Sequence, residues 1–256
     1  RKDIEILFVG ANGKMEMEKV PAAGFKIIGL NITGINRSLT FSNLIFPFKL
    51  IGSVLKSFRI LRTFKADAVV GVGGFASGPV LYAAQRKGIP TVIQEQNSYA
   101  GITNKKLAQK AKRICVAYDG MEKFFPKEAI RVTGNPVRQD ILQMKGKKPH
   151  AIEYFGLKEG MRTILIIGGS LGARTLNHAI AAALKELNNS GLQIIWQTGK
   201  TYHSAALKKS VDLENVKVHD FIQRMDLAYC MADLVISRAG ASSISELCIV
   251  GRPSIL

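Results

Sequence analysis

The stretch TILIIGGSLGAR, residues 163–174, is a run of β-branched and aliphatic residues followed by a glycine-rich turn and the opening of a helical pattern. An apolar run without polar alternation predicts a strand buried on both faces, and glycines permit the sharp reversal that follows. The same unit recurs along the 256 residues. Apolar runs at 4–9, 26–30, 68–72, 91–94, 114–117 and 131–133 precede it, and runs at 193–197, 217–219, 234–237 and 254–256 follow, separated mostly by helical patterns. This alternation predicts the α/β class, with parallel sheets covered by helices on both faces. The polar, basic segment GNPVRQDILQMKGKKPH, residues 134–150, reads as a connection between two such series. At about 150 residues per domain, the chain resolves into two Rossmann-like, doubly wound domains, 1–138 and 139–256.

Composition narrows the partners. A hydrophobic fraction of 47% with 24 Gly and 8 Pro excludes disordered and collagen-like classes. Lys and Arg number 36 against 19 acids, a net charge of +17, which points to an anionic partner. The excess lies in the first half, where residues 1–140 hold 22 basic and 10 acidic residues. With aromatics at 7% and no recognised RNA or DNA motif, nucleic acid is not the expected partner. Cys115, Cys230 and Cys248 are widely spaced, and the four histidines show no ligand spacing, so neither a disulfide framework nor a metal site is expected. The apolar run at 44–55 contains Lys49 and is too short for a bilayer span. The chain starts at Arg1 without methionine and ends inside another apolar run, RPSIL, so it reads as an internal piece of a longer protein.

In sheets of this kind ligands bind beyond the carboxyl ends of the strands. Three loops there stand out: GVGGFASGP (71–79), IQEQN (93–97) with the Glu95 carboxylate, and GGSLGAR (168–174). In the last, glycines allow close backbone approach, and a helix starting near Gly172 offers unpaired N–H groups to a phosphate, with Ser170 and Arg174 at hand. The other reading is a tight turn without a ligand. The loop matches neither the P-loop nor the G-x-G-x-x-G spacing, which disfavours a P-loop nucleotidase and a dinucleotide oxidoreductase. A fourth loop, SRAGASSISEL (237–247), places Ser243 three residues before Glu246. That spacing fits a capping box; alternatively Glu246 accepts hydrogen bonds from a ribose diol. Finally, Leu44, Phe48, Ile51, Leu55 and Phe58 follow helical spacing beside Lys49, Lys56, Arg59 and Arg62. This is either a helix packed on its sheet with a solvated basic face, or one whose start, including Phe46, enters a membrane interface.

Six ordered blocks carry a family resemblance: GGFASGP (73–79), QEQN (94–97) followed by AGITNK (100–105), VTGNPVR (132–138), GGSLGARTLN (168–177), FIQRM (221–225) and ADLVISRAGASSISEL (232–247). Together they resemble the MurG family, peripheral membrane glycosyltransferases that add N-acetylglucosamine to lipid I to give lipid II in peptidoglycan synthesis. The resemblance implies a GT-B fold, an acceptor domain followed by a UDP-N-acetylglucosamine domain facing it across a cleft, and no metal or other cofactor. It implies that Ser170 meets the donor phosphates, that the Ile222 backbone meets the uracil, and that Ala241, Ser242, Ser243, Ile244, Ser245 and Glu246 wrap the nucleotide, with Glu246 on the ribose. Asn97 and Arg138 would complete the donor site. Gly73, Gly74, Phe75, Glu95 and Asn104 would lie on the acceptor side, and Leu44, Phe46, Phe48 and Lys49 would meet an anionic membrane surface. The implied location is the cytoplasmic face of the bacterial plasma membrane, and the implied reaction an inverting displacement at the anomeric carbon.

The alternatives are another GT-B transferase with a different lipid or sugar acceptor, or a noncatalytic basic membrane-binding module. The chain departs from the family pattern at Phe75, where tyrosine is usual, and at Gln94, where histidine is usual. The family's opening GGTGGH-like loop, whose histidine is the proposed base, does not occur in it. The catalytic base is therefore not assigned among these residues. The expectation is that the 256-residue chain alone turns over little or no lipid I, and robust turnover by the purified chain would refute it.

Overall fold

The computed structural model describes residues 4–34 and 41–256, without the side chains of 41–44. It divides into two compact units, Arg1–Gly134 and Asn135–Leu256. The first contains β1 (Leu7–Ala11), α1 (Glu16–Ala22), β2 (Lys26–Leu30), α2 (Phe41–Phe64), β3 (Val69–Gly71), α3 (Ser77–Arg86), β4 (Thr91–Glu95), α4 (Ile102–Ala108), β5 (Arg113–Val116) and β6 (Ile130–Val132). The second contains α5 (Lys148–Phe155), β7 (Thr163–Ile167), α6 (Arg174–Asn189), β8 (Gln193–Gln197), α7 (Lys200–Ser210), β9 (Val216–His219), α8 (Met225–Met231), β10 (Leu234–Ser237), α9 (Ala241–Val250) and β11 (Ser254–Ile255). Every strand pairing among the described residues is parallel, in the orders β1-β2, β3-β4-β5-β6 and β11-β10-β7-β8-β9.

The second unit shows why an apolar run without alternation makes a central strand. All five residues of β7 are buried. Leu165 and Ile167 join Ile195, Tyr229 and Val235 in one core cluster, whereas Ile164 and Ile166 join Ile194, Trp196 and Val216 in another. Successive residues of a pleated strand point to opposite faces, so both faces must be covered by helices. In the first unit, β1 begins later than expected because its register with β2 runs from Leu7↔Lys26 to Ala11↔Leu30. Ile4 and Ile6 stay outside the ladder, 64% and 48% exposed.

Two expectations need correction. The apolar stripe of α2 does not pack on the sheet: Phe48, Ile51 and Leu55 are 76%, 59% and 64% exposed, and only Phe58 of the described stripe residues reaches the core. Leu44 has its side chain outside the described residues. The helix instead buries Ser53, Ser57, Ile60 and Leu61, where the Ser57 hydroxyl donates back to the Ser53 carbonyl at 2.7 Å. Lys56 is likewise not simply solvated, since its ammonium donates to the Gly29 carbonyl at 2.8 Å. Between α2 and the β1-β2 pair runs a groove of about 740 Å³, lined by Leu7, Ile28, Ile60 and Phe64 beside Lys26 and Arg59. No helix among the described residues is long and apolar enough to cross a membrane.

The second correction concerns residues 134–150. From Asn135 onward this segment belongs to the second unit, and it is structured, with a 3-10 turn over Gln139–Gln143 and the start of α5. Its polar residues are anchors. Lys147 donates to Asp226 Oδ2 at 2.8 Å, and Arg224 donates through Nε to Oδ1 and through Nη2 to Oδ2, at 2.9 and 2.8 Å. Asp226 is fully buried, and the Arg224 hydrogen bonds, then Lys147, outweigh the opposing effect of burial and hold its carboxyl well below the usual carboxylate range.

Asp226→Ala should therefore destabilise the protein by about 2 kcal/mol, the scale of hydrogen bonds to a charged group, read as a lower urea midpoint. Because folding lowers the carboxyl's pKa, its stabilisation is complete above the unfolded value near pH ~3.9 and is lost as the pH falls below it towards the folded value. The wild type should lose stability over that acid range more steeply than the variant. Equal midpoints at pH 7 would contradict the assignment.

Candidate functional site

Parallel pairing aligns the carboxyl ends of three central strands of the second unit: Ser237 pairs with Ile167, and Ile167 with Gln197. The loops that leave this row enclose a cleft of about 260 Å³, lined by Arg138, Ile167, Gly169, Ser170, Gln197, Phe221, Ile222, Met225, Tyr229, Ser242, Ser243 and Glu246.

The glycine loop forms its first wall. Gly169 and Gly172 hold φ of +83° and +79°, and the Gly172 N–H donates to the Gly169 carbonyl at 3.0 Å. A Cβ at Gly172 would strike the Thr198 carbonyl oxygen, so this glycine is required by space as well as by conformation. Gln197 donates to the Gly169 carbonyl at 3.0 Å and thereby ties the loop to the end of β8. The helix α6 begins at Arg174, slightly later than its expected start near Gly172, with exposed Ser170 beside the cleft. Arg174 does not line it.

The opposite wall is α9. Its N-cap is Gly240, in extended conformation, with no side-chain cap. The helix thus starts too early for Ser243 to be a cap, and the capping-box reading of Ser243 and Glu246 fails. The Glu246 carboxylate instead receives Arg138 Nε on Oε1 and Arg138 Nη2 on Oε2, both at 3.0 Å, and the Tyr229 hydroxyl on Oε2 at 3.0 Å. Burial, reinforced by the Glu246 charge and hydrogen bond, pushes the Tyr229 phenol well above its usual range. For Arg138, burial pulls the guanidinium down, but the Glu246 hydrogen bond and charge prevail and raise it. Among residues 241–246, Ser242, Ser243 and Glu246 line the cleft. Ala241 and Ile244 do not line it, and Ser245 turns elsewhere, donating to the Ala241 carbonyl at 3.0 Å and accepting from Asn135 at 3.1 Å.

At Ile222 the structure narrows the expectation. Its N–H already donates to Gln197 Oε1 at 2.8 Å, leaving the carbonyl as the atom it can offer a ligand. Sequence reading assigns no role to Gln197, Tyr229 or Asn177, all of which organise this region. Asn177 donates to the Thr198 carbonyl at 2.7 Å and accepts from the Trp196 indole at 3.2 Å. The available signal was chemical: an amide ending a β-strand, and a tyrosine within a wholly apolar stretch, both of which must find polar partners when buried.

The first unit carries the remaining predicted residues. Gly73 and Gly74 form the turn from β3 to α3 at φ of +92° and +76°, and the Phe75 ring is 48% exposed. Glu95 ends β4 buried, accepting from the Asn97 N–H at 3.1 Å and side chain at 3.2 Å, from the Gly101 N–H at 3.0 Å, and from the Asn104 side chain at 2.8 Å. Four donors occupy about the four acceptor sites a carboxylate has. Glu95 and the buried Asn104 thus shape the loop from within, while Asn97 is exposed. Among the described residues, no cluster of His, Cys, Asp and Glu could hold a metal ion.

Residues 1–116 match the glycosyltransferase family 28 N-terminal domain, and residues 163–256 match the glycosyltransferase family 28 C-terminal domain. A UDP-N-acetylglucosamine--N-acetylmuramyl-(pentapeptide) pyrophosphoryl-undecaprenol N-acetylglucosamine transferase of Cytophaga hutchinsonii is 56% identical over 254 residues, 99% of this chain and 68% of that protein. The enzyme of the same name from Flavobacterium psychrophilum is 57% identical over 98% of this chain and 68% of its own length. The crystal structure of Acinetobacter baumannii MurG superposes with a TM-score of 0.65 at 32% identity, covering 96% of this chain and 68% of that one. A UDP-GlcNAc 2-epimerase from Neisseria meningitidis, bound to UDP-GlcNAc, shares the fold at a TM-score of 0.66 and 14% identity, with 99% of this chain and 82% of that one covered. Two parallel α/β units, a glycine-loop cleft in the second, and high identity along nearly the whole sequence establish that the chain belongs to the MurG family of glycosyltransferases.

Proposed function

We propose that the activity this chain serves is the transfer of N-acetylglucosamine from UDP-N-acetylglucosamine to lipid I, giving lipid II, and that the cleft of the second unit holds the donor nucleotide. The observation that carries the site assignment is convergence: a glycine loop opening a helix and a buried carboxylate line one cleft of about 260 Å³. In this reading the diphosphate lies against residues 169–174, where Ser170 donates a hydrogen bond. The α6 N-terminus stabilises the charge that develops as the C1–oxygen bond to UDP breaks. The Ile222 carbonyl accepts from the uracil, Ser242 and Ser243 border the nucleotide, and Glu246 accepts from the ribose hydroxyls. An acceptor hydroxyl forms the new bond to C1 from the opposite face and gives its proton to a general base. Glu95 is not that base, because its acceptor sites are already filled by N–H donors. Its part is to hold the loop that carries Asn97, assigned to the donor, and Asn104, assigned with Glu95, Gly73 and Gly74 to the lipid I side.

In this reading the protein attaches peripherally to an anionic lipid surface at the cytoplasmic face, and the exposed apolar side of α2 supports the attachment. Ile45, Phe48 and Ile51 are 53%, 76% and 59% exposed beside half-buried Phe46 and Lys49. Such a helix enters the interface through its apolar residues, while each basic residue near the surface adds about 1 kcal/mol.

Three outcomes follow. Calorimetry should show binding of UDP-N-acetylglucosamine and no binding of a random oligonucleotide, and Glu246→Ala should weaken the sugar nucleotide by about tenfold or more; binding of the oligonucleotide alone would overturn the reading. Gly172→Ala should reduce the same affinity comparably, through strain of about 1–2 kcal/mol or more in the glycine loop, whereas wild-type affinity would show that the loop does not hold the donor. For the surface, Phe48→Ser combined with Lys49→Glu should cut cosedimentation with anionic vesicles by about tenfold, and should lower the weaker binding to neutral vesicles by less, because only the apolar contribution of Phe48 is lost there. Indifference to the substitutions would remove α2 from the attachment.

A further inference from the structure

The carboxylate assigned to the ribose already has more donors than it can keep once a nucleotide arrives. An ionised carboxylate offers about four acceptor sites. Glu246 receives Arg138 Nε on one oxygen, and Arg138 Nη2 and the Tyr229 hydroxyl on the other, all at 3.0 Å. Nη2 also lies 2.9 Å from the first oxygen. A ribose diol brings two further O–H donors, five for about four sites, so at least one existing bond must break. The two partners differ in what leaving requires. The Arg138 side chain is 42% exposed and can exchange its carboxylate bonds for water. Tyr229 is 0% exposed, on a helix whose neighbouring residues Asp226, Leu227 and Ala228 are also fully buried. Its hydroxyl has no water to turn to, and an unpaired buried hydroxyl is costly.

We propose that Tyr229 is a positioning residue for donor recognition: it pins Glu246 Oε2 from inside the core, so that the carboxylate stays aimed at the ribose while Arg138 gives up its place to the diol. The inference rests on the reading of Glu246 as the ribose acceptor. Tyr229 lines the cleft floor without supplying a ligand contact, and Arg138 becomes a placeholder that neutralises and orients the carboxylate in the empty site.

The test compares binding of UDP and of 2′,3′-dideoxyuridine 5′-diphosphate, by calorimetry, to the 256-residue chain and its variants. The wild type should prefer UDP by about tenfold, the scale of a hydrogen bond to a charged group. Tyr229→Phe should lower that preference to within about twofold by weakening UDP alone, with dideoxy-UDP affinity unchanged. A merely structural role would weaken both nucleotides alike, and that result, or a preference retained in Tyr229→Phe, would overturn the proposal. Arg138→Met supplies an independent arm should Tyr229→Phe not fold. With the placeholder gone and Tyr229 intact, the UDP preference should hold or increase, and its collapse would make Arg138 the positioning residue instead. A wild type that does not distinguish the two nucleotides would refute the ribose assignment of Glu246 itself, and this proposal with it.

Discussion

In a parallel sheet the loops that leave the strands in the chain direction all emerge from one edge, and register decides which residues meet there. In the second unit, the pairing of Ser237 with Ile167 and of Ile167 with Gln197 sets three strand ends level. The pleat then orients them together: Val235, Ile167 and Ile195 share one core cluster, and Ser237 and Gln197, two residues beyond the first and last, fall on that same face. A slip of one residue would send Gln197 to the other face, away from Gly169 and Ile222, which it bridges at 3.0 and 2.8 Å. The cleft is thus a consequence of strand register before it is a property of any loop.

Three buried carboxylates show how the same group serves different ends. Glu95 is saturated by backbone and amide donors of its own loop. Asp226 is fixed by Lys147 and Arg224, anchoring the segment that precedes α5 to α8. Glu246 differs because one of its partners is buried and the other reaches solvent. Buried charges must be paired, but only a pair with an exchangeable member can take up a ligand without leaving a charge unsatisfied.

Much of this was legible in the sequence, for identifiable reasons. Apolar runs such as TILII and QIIWQ locate strands because burial on both faces leaves no other pattern. Glycine loops after them locate the cleft because glycine readily takes the positive φ of Gly169 and Gly172. The sequence was a poorer guide where tertiary contacts decide. The Ser243 and Glu246 spacing suits a capping box, yet the extended Gly240 starts the helix three residues before Ser243. The aliphatic spacing on α2 suits a core-facing stripe, yet the helix buries Ser53 and Ser57 with Ile60 and Leu61 and leaves Phe48, Ile51 and Leu55 exposed. The segment after Gly134 has the composition of a linker, but Asn135, Arg138 and Lys147 find their partners on α8 and α9, which no local pattern reveals. Tyr229 belongs with these: its role depends on a carboxylate 17 residues away in sequence.

If the cleft holds the donor, a uridine nucleotide lies along the carboxyl edge of β7, β8 and β10, with its ribose on Glu246. A crystal structure of the chain with UDP tests this most directly. The diphosphate should lie beside residues 169–174, the uracil at the Ile222 carbonyl, and both ribose hydroxyls within hydrogen-bonding distance of Glu246, with Tyr229 still bonded to Oε2 and Arg138 displaced. Nucleotide bound elsewhere, or bound here with the Arg138–Glu246 pair intact and the ribose turned away, would contradict it.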